Sequence, residues 1–262
     1  MGVMKHILIT GGNGYIAQSI YKELKDVYSI HLLTRQEVDL RNSSEVNAWF
    51  ADKHFDVVIH TAIVGGHRLK EESYSVIDDN LQMYYNLLSN KNKFDRFINI
   101  GSGAELQYTD RPYALSKHII RKSMSMYDNF YNVRVYATFD ENELDTRFIK
   151  ANIKRYKNKE PMTIHNNIQM DFFYMVDFIK VIGYYIEEAS PKKEVDCTYS
   201  TSHFLYEIAE IINNQSDYKV SVQINDHETI IPNYIGRYTD IGLDYIGLKQ
   251  GITSVYNKLC KI

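Results

Sequence analysis

Short apolar runs alternate with amphipathic stretches along the first half of the chain. The apolar runs predict strands at residues 5–9, 29–33, 55–60, 97–101 and 132–137. Apolar positions with helical spacing predict helices at residues 15–25, 43–52, 74–89, 113–129 and 144–157. Strands that alternate with helices in this way favour a parallel sheet, so the pattern predicts an α/β fold.

The alternation becomes less regular after about residue 140. Short apolar runs at residues 162–164 and 171–173 occur among stretches with helical spacing. Those helical stretches lie at residues 176–187, 204–213 and 248–259. The sequence therefore predicts a first domain at residues 1–140 and a smaller α/β lobe at residues 141–262, with the chain crossing back to the first domain.

A glycine turn, Thr10-Gly11-Gly12-Asn13-Gly14-Tyr15-Ile16-Ala17, follows the first predicted strand directly. Gly11 permits a tight turn, and Gly14 lets the backbone approach a pyrophosphate because it has no Cβ. The helix that begins near Tyr15 directs its N–H groups toward the phosphate. This arrangement predicts a dinucleotide site in a Rossmann-type, doubly wound parallel sheet, although glycines in such a turn also serve a purely structural purpose. The residues predicted to contact the cofactor here are Gly11, Asn13, Gly14, Tyr15 and Ile16.

Tyr113 and Lys117 are four residues apart in a predicted helix, so their side chains lie on the same face. A tyrosine hydroxyl becomes useful as an acid at neutral pH when a neighbouring ammonium stabilises the phenolate. Ser102 follows the fourth predicted strand, at the edge where open α/β sheets bind their ligands. We therefore predict that Tyr113, Lys117 and Ser102 reduce a carbonyl group, with Ser102 as a simple turn residue as the alternative.

The second predicted strand ends in Leu32-Leu33-Thr34-Arg35, without a carboxylate. An acidic residue at this point binds the ribose 2′-hydroxyl of NAD, whereas a guanidinium pairs with the 2′-phosphate of NADP. The sequence therefore predicts NADP(H) as the cofactor, held by Arg35, with NAD(H) as the alternative.

Composition excludes several classes of function. A net charge of −3 argues against nucleic acid or an anionic membrane as the main partner. The two cysteines, Cys197 and Cys260, do not form a disulfide framework or a metal site, and we predict no metal. No apolar run approaches the ~18 residues of a membrane span, and no signal peptide is recognised, so we expect a cytoplasmic protein.

Together these segments resemble the extended short-chain dehydrogenase/reductases, which include nucleotide-sugar epimerases, dehydratases and 4-keto reductases. Further matches are Asp39-Leu40 with the family's adenine-contacting loop, Ile59-His60-Thr61-Ala62 with its fourth-strand motif, and residues 170–177 with its substrate segment. The resemblance implies cofactor contacts at Asp39, Leu40, Thr61 and Ala62. The pattern is most similar to the GDP-fucose synthases, which implies NADPH-dependent reduction of a 4-keto-6-deoxy nucleotide sugar in deoxysugar or polysaccharide biosynthesis.

Departures from that pattern favour simple reduction. Ala104 stands where the GDP-fucose synthases have their epimerising cysteine, and the later histidine segment is missing. Glu105 is a substitute acid or base, so an NAD-dependent nucleotide-sugar 4-epimerase is the alternative. A non-catalytic dinucleotide-binding regulator is a further alternative, disfavoured by the intact Tyr113 and Lys117.

Several other polar and charged side chains have predicted roles. His60 and His67 are interpreted as hydrogen-bonded polar residues near the cofactor, and Asp171 and Asp177 as mainly structural. A basic stripe is either a solvated helix face or a contact for the substrate diphosphate; it consists of Lys150, Lys154, Arg155 and Lys157.

Relatives of this kind dimerise through a four-helix bundle, so we expect a homodimer formed by the helices at residues 74–89 and 113–129. The stripe predicted to carry the contact consists of Leu81, Tyr84, Tyr85 and Leu88, with the protein's own core as the alternative position.

Overall fold

The computed structural model describes residues 4–66, 71–225 and 231–260. The chain forms two compact units. The first comprises residues 1–134 and 182–195, and the second comprises residues 135–181 and 196–262. No helix of the described ranges combines the length and the apolar character needed to cross a membrane.

Strands and helices alternate through most of the described residues. The strands are β1 (His6–Thr10), β2 (Ser29–Leu33), β3 (Phe55–His60), β4 (Phe94–Ser102), β5 (Phe130–Val135), β6 (Thr138–Phe139), β7 (Met162–Ile164), β8 (Phe173–Tyr174), β9 (Glu194–Cys197) and β10 (Val222–Ile224). The helices are α1 (Tyr15–Leu24), α2 (Ser43–Phe50), α3 (Ser75–Ser89), α4 (Ala104–Gln107), α5 (Pro112–Met124), α6 (Phe148–Lys157), α7 (Met175–Glu187), α8 (Leu205–Asn213) and α9 (Leu248–Cys260), and Lys91–Lys93 forms a 3₁₀ turn.

A six-stranded sheet in the order β2-β1-β3-β4-β5-β9 organises the first unit. β1 pairs in parallel with β2 and β3, and β3 pairs in parallel with β4. This sheet confirms the predicted doubly wound α/β fold. Thr10 lies beside His60 in the register, so the ends of the central strands meet at one edge. Any side chain that follows these strands is therefore held near that edge.

Apolar packing beneath this sheet edge fixes the strands. Leu8, Val58 and Phe97 are fully buried, and the Phe97 ring stacks on Phe130 with a centroid distance of 4.8 Å. A fully buried side chain of this size contributes roughly 1.5–3 kcal/mol. This packing holds the central strands in register beneath the sheet edge.

The second unit contains two short parallel pairs, β10 with β7 and β6 with β8. Helix α9 packs closely on β8, because a Cβ on Gly251 would lie 2.9 Å from the ring of Tyr174. Tyr156 of α6 is fully buried and stacks on Tyr218 with a centroid distance of 4.6 Å. Aromatic packing therefore provides much of the core of this unit.

The structure shortens two predicted helices. The helix predicted at residues 113–129 ends at Met124, because the Asn129 carbonyl accepts a hydrogen bond from the Phe97 N–H at the sheet. The helix predicted at residues 144–157 begins at Phe148, because Leu144 is exposed and contributes no apolar contact to a core. β9, β10 and α4 are additional elements that the apolar pattern does not indicate.

Candidate active site

The glycine turn between β1 and α1 has no room for side chains. Gly11 has a φ of +67°, and a Cβ there would lie 2.8 Å from the Cα of Ala62. The Gly14 N–H donates to the Gly11 carbonyl at 2.8 Å, which closes the turn. Gly14 precedes α1 without a side-chain cap, and N–H groups at such a helix start suit a phosphate anion. The turn therefore fits the pyrophosphate of a dinucleotide.

The ends of β1 and β3 are joined through Thr10. Its Oγ1 shares a 2.8 Å hydrogen bond with His60 Nδ1 and accepts the Ala62 N–H at 3.2 Å. Thr61 Oγ1 donates to the Thr10 carbonyl at 2.7 Å. Burial lowers the pKa of His60 to about 3, with a smaller effect from the Lys117 charge, so this imidazole is neutral. Thr61 and Ala62 thus lie against the glycine turn, whereas His67 lies outside the described residues.

A chain of alternating charges follows β2. Arg35 has 71% of its side chain exposed, and its Nε lies 3.4 Å from Asp39 Oδ2. Asp39 binds Arg41 more tightly, at 2.6 Å, and Arg41 also reaches Asp79 at 3.1 Å. The hydrogen bonds from Arg41 hold the pKa of Asp39 well below its usual range. Arg35 is thus accessible to a phosphate, while the neighbouring Leu40 is buried.

The sequence reasoning did not identify Arg41 or Asp79. The alternating signs of Arg35, Asp39 and Arg41 are visible in the sequence, but Asp79 comes close only through the fold. The predicted contacts at Arg35 and Asp39 therefore lie in a network of charged side chains.

At the glycine turn, the Asn13 amide donates to the Gln36 side chain at 3.4 Å.

The three predicted catalytic residues all belong to the first unit. Ser102 ends β4, Tyr113 is the second residue of α5, and Lys117 lies one helical turn later. Lys117 is only 3% exposed, and its Nζ donates to the Ile100 carbonyl at 2.6 Å. This bond ties the helix that carries Tyr113 to the strand that carries Ser102.

The Lys117 ammonium is held in a low-dielectric environment. Burial lowers the pKa of Lys117 to about 8, and the negative charge of Glu105 opposes that shift. A desolvated cation interacts strongly with a nearby phenolate, because little water screens the charges. The environment therefore suits a lysine that assists a tyrosine acid.

Glu72 supports Tyr113, and sequence reasoning missed this residue. One Glu72 oxygen accepts the backbone N–H of Tyr113 at 3.0 Å, and the other accepts that of Gly66 at 2.5 Å. Gly66 has a φ of +78°, and a Cβ there would lie 3.1 Å from the Tyr113 ring. The tyrosine ring therefore packs directly on the Gly66 backbone.

Asn80 of α3 holds the same loop from the other side. Its side chain accepts the Val64 N–H at 2.8 Å and donates to Ser116 at 2.9 Å. Ser116 in turn donates to the Tyr113 carbonyl at 2.7 Å. The loop after β3 and the start of α5 are thus held in one arrangement.

The hypothesis that Glu105 serves as a substitute acid or base is wrong. Its side chain is fully buried, and its carboxylate accepts hydrogen bonds from Arg134 and Asn132, both at 2.7 Å. An acid or base must reach the substrate within hydrogen-bond distance. Glu105 is instead part of an internal ion pair.

In the second unit, both aspartates of the segment at residues 170–177 bind groups of the protein. Asp171 accepts hydrogen bonds from Thr198 at 2.6 Å and from the Gly236 N–H at 2.8 Å. Asp177 accepts the Tyr199 hydroxyl at 2.8 Å. These contacts fix loops of the unit, as expected for structural residues.

The basic stripe on α6 is not a uniformly solvated face. Lys150 is buried and donates to the Glu143 carbonyl at 2.7 Å. Lys154 pairs with Asp145 at 2.5 Å, and Lys157 donates to the Leu259 carbonyl at 2.6 Å.

Within the described residues, no group of His, Cys, Asp or Glu side chains has an arrangement that could hold a metal ion.

The predicted stripe on α3 points in two directions. Tyr84 lies inside the core, where its ring contacts Phe97 edge-on at a centroid distance of 6.0 Å, so it is not available to a partner. Leu81 and Leu88 pack against the same core, whereas Tyr85 is exposed. A shallow groove between α3 and α5 is lined by Tyr85, Leu88, His118, Ile119, Lys122, Ser123, Met126 and Tyr127.

A family model described as the NAD dependent epimerase/dehydratase family matches residues 7–197. Comparison with curated proteins gives no sequence match. Among solved structures, a GDP-mannoheptose C4 reductase from Campylobacter jejuni with NADP bound has a TM-score of 0.81 at 16% identity, with 99% of each chain covered.

Two further structures are similar over the whole chain. A GDP-D-glycero-L-gluco-heptose synthase from Campylobacter jejuni, in the presence of NADPH, has a TM-score of 0.82 at 16% identity, covering 100% of this chain and 99% of the other. A GDP-L-fucose synthetase from Naegleria fowleri bound to NADP has a TM-score of 0.76 at 14% identity, covering 100% and 94%. These likenesses establish the Rossmann-type fold.

The buried ammonium predicts that Lys117→Met stabilises the protein at pH 7. A folded-state pKa of about 8, below that of an unfolded lysine, means that folding penalises the charged form. The penalty is fully present below pH 8 and shrinks as the pH rises toward ~10.4, where the unfolded chain also loses its proton. We expect a gain of about 1–3 kcal/mol at pH 7 that declines by pH 10, measured by denaturant unfolding.

The matched control is Lys91→Met, because Lys91 is exposed. This variant should leave the free energy of unfolding within about 0.5 kcal/mol of wild type. A loss of stability in Lys117→Met at pH 7, or a gain that is the same at pH 7 and pH 10, would contradict the assigned environment.

Proposed function

Because the chain belongs to the NAD dependent epimerase/dehydratase family, we propose that it catalyses the NADPH-dependent reduction of a nucleotide-linked keto sugar. The substrate is of the 4-keto-6-deoxy type, and the reaction belongs to deoxysugar or polysaccharide biosynthesis. The observation that carries the proposal is the buried Lys117 ammonium, one turn from Tyr113 and bonded to the strand that ends in Ser102. The similar structures that contain NADP or NADPH support the choice of cofactor.

The chemistry follows from the roles of three side chains. NADPH, when bound, supplies a hydride to the carbonyl carbon of the sugar. Tyr113 donates its hydroxyl proton to the carbonyl oxygen, and Ser102 holds that oxygen by a hydrogen bond. Lys117 stabilises the phenolate left on Tyr113, and its burial strengthens this effect because the charges are poorly screened.

In this proposal, residues at the carboxyl edge of the first unit would hold the cofactor. The turn at Gly11, Asn13 and Gly14 would hold the pyrophosphate at the start of α1, and Arg35 would pair with the 2′-phosphate. The further contacts are Tyr15, Ile16, Asp39, Leu40, Thr61, Ala62 and, on the nicotinamide ribose, Lys117. In this proposal the domain of residues 1–140 binds the cofactor, and residues 141–262, from which the chain crosses back to the first domain, supply the substrate-binding lobe.

We further propose a cytoplasmic homodimer that requires no metal, nucleic acid or membrane. Neither Cys197 nor Cys260 forms a disulfide within the described residues, which is compatible with a reducing compartment. The exposed Tyr85 and Met126 beside the groove on α3 and α5 provide apolar surface for a second copy.

A second candidate function is an NAD-dependent nucleotide-sugar 4-epimerase. The family's description, which includes epimerases, favours it, and the same tyrosine and lysine serve that reaction. The two functions differ in cofactor balance, because reduction consumes NADPH and epimerisation regenerates its cofactor.

The deciding experiment offers GDP-, UDP- and dTDP-linked 4-keto sugars with NADPH and follows absorbance at 340 nm. Net oxidation of NADPH with one keto sugar supports the reductase. Interconversion of 4-epimers with catalytic NAD and no net oxidation would establish the epimerase instead. Cofactor binding without turnover on any of these substrates would indicate a regulator.

Tyr113→Phe should lower kcat by about 10²–10⁴-fold, because only the proton donor is lost. The dissociation constant of NADPH, measured by fluorescence titration, should stay within a few-fold of wild type. Tyr74→Phe is the control, since Tyr74 is 80% exposed. A Tyr113→Phe variant that retains more than a tenth of wild-type kcat would show that another group is the acid.

Arg35→Ala should weaken NADPH binding and leave NADH binding nearly unchanged. We expect wild type to prefer NADPH by about 10- to 100-fold in KM, or roughly 1.4–2.8 kcal/mol, as for one exposed charged contact. The measurement is KM and the dissociation constant for each cofactor. Equal losses for both would assign Arg35 to the fold or to the adenine.

Met126→Glu should convert a dimer to a monomer, because it places a charge on an apolar surface that is 76% exposed at this residue. Multi-angle light scattering at micromolar concentration measures the mass, and Met4→Glu, at another exposed methionine, is the control. A monomeric wild-type protein would contradict the proposed dimer.

A further inference from the structure

Glu105 lies three residues after Ser102, and its carboxylate is completely enclosed. One oxygen accepts the Ser102 backbone N–H at 3.2 Å. The other accepts Arg134 Nε and Asn132 Nδ2, both at 2.7 Å. Since a buried carboxylate is costly unless it is fully paired, three donors on one side chain indicate a defined position for each.

The ion pair extends beyond Arg134. The second nitrogen of its guanidinium donates to Glu194 Oε2 at 2.7 Å, and Glu194 Oε1 lies 2.8 Å from Arg121 Nε. Arg121 lies on α5, one turn after Lys117. Alternating charges therefore connect the end of β4 with β5, β9 and the helix of the catalytic tyrosine.

This network packs against the backbone directly before Ser102. A Cβ on Gly101 would lie 2.7 Å from Asn132 Oδ1, so the strand approaches the amide as closely as a glycine permits. The same oxygen accepts Asn99 Nδ2 at 2.7 Å. The last residues of β4 are thus held from one side by groups that Glu105 organises.

The charge of Glu105 also affects the pKa of Lys117. Its negative charge opposes the effect of burial on Lys117, whereas the neutral His60 supplies no counter-charge. The Lys117 Nζ is itself bonded to Ile100, two residues before Ser102. The serine and the ammonium are therefore influenced by the same carboxylate.

We propose that Glu105 is a positioning residue, which fixes Ser102 through its backbone N–H and, from the same end of β4, is the counter-charge of the buried Lys117 ammonium. The effect on catalysis rests on the proposed reductase function, whereas the effect on Lys117 does not. Glu105 contacts neither substrate nor cofactor in this role.

Glu105→Gln tests both parts. A glutamine removes the charge, and it cannot accept from Ser102, Arg134 and Asn132 together because its NH₂ group faces a donor. We expect kcat to fall by about 10- to 100-fold with KM for NADPH within about threefold, as for loss of one charged hydrogen bond. The alkaline limb of the pH–rate profile should move to lower pH, because Lys117 loses its proton more readily.

The matched control is Glu194→Gln. Glu194 belongs to the same network and pairs with Arg134 and Arg121, but no contact joins it to Ser102 or Lys117 in the described residues. This variant should lower the melting temperature and leave kcat and the pH profile close to wild type. Equal changes in kcat and pH profile in both variants would reduce Glu105 to a structural role.

If Glu105→Gln lowers the stability of the protein, the double variant Glu105→Leu with Arg134→Met separates that effect from the effect on activity. Replacing both members of a buried ion pair by apolar side chains is commonly neutral for stability. We expect the double variant to fold cooperatively, with kcat still reduced. A folded double variant with wild-type kcat and pH profile would overturn the proposal.

A readout without turnover separates this inference from the proposed function. NMR of ¹³C-labelled lysine, with the Lys117 signal assigned from Lys117→Met, gives its pKa directly. We expect Glu105→Gln to lower that pKa by about one unit and Glu194→Gln to leave it unchanged. An unchanged Lys117 pKa in Glu105→Gln overturns the inference, whereas failure of wild type to oxidise NADPH counts against the proposed function alone.

Discussion

The hydrogen bond from the Lys117 ammonium to the Ile100 carbonyl places a charge inside the first unit, and the groups of the proposed site are held around it. It requires a charged group in a core that otherwise excludes water, and the surrounding structure offsets that cost with a fully paired carboxylate at Glu105. Because the bond joins α5 to the end of β4, small changes in the helix would reach the sheet edge. The bond therefore sets the position of the helix against the strand at the place where chemistry is proposed, at a cost in stability.

Where β1 and β3 end, the sheet edge is held by close approach of the backbone rather than by charge. Gly11 lies against Ala62, and Thr10 links β1 to β3 through its side chain and carbonyl. The charged residues that follow β2 are by contrast partly exposed and paired among themselves. A closely packed centre with exposed charged residues beside it suits a ligand whose phosphate and ribose ends need different kinds of contact.

The sequence predicted the framework well because its signals are local. β2 and β3 have the predicted bounds, since each is an apolar run closed by polar residues. The sequence did not predict β9, because Glu194-Val195-Asp196-Cys197 is short and half charged. This segment becomes a strand only by pairing at the edge of the sheet. Glu105 was misread for a related reason, as Arg134 is distant in the chain and nothing local indicates an internal ion pair.

The division of the first unit into residues 1–134 and 182–195 has a consequence for synthesis on the ribosome. β5 emerges with Arg134 long before β9 delivers Glu194, so for dozens of residues the nascent sheet has an open edge and an incomplete ion pair. An unpaired strand edge of this kind is open to pairing with the wrong strand until β9 has been synthesised. The ion pair that borders the proposed site is therefore completed only after β9 has been synthesised.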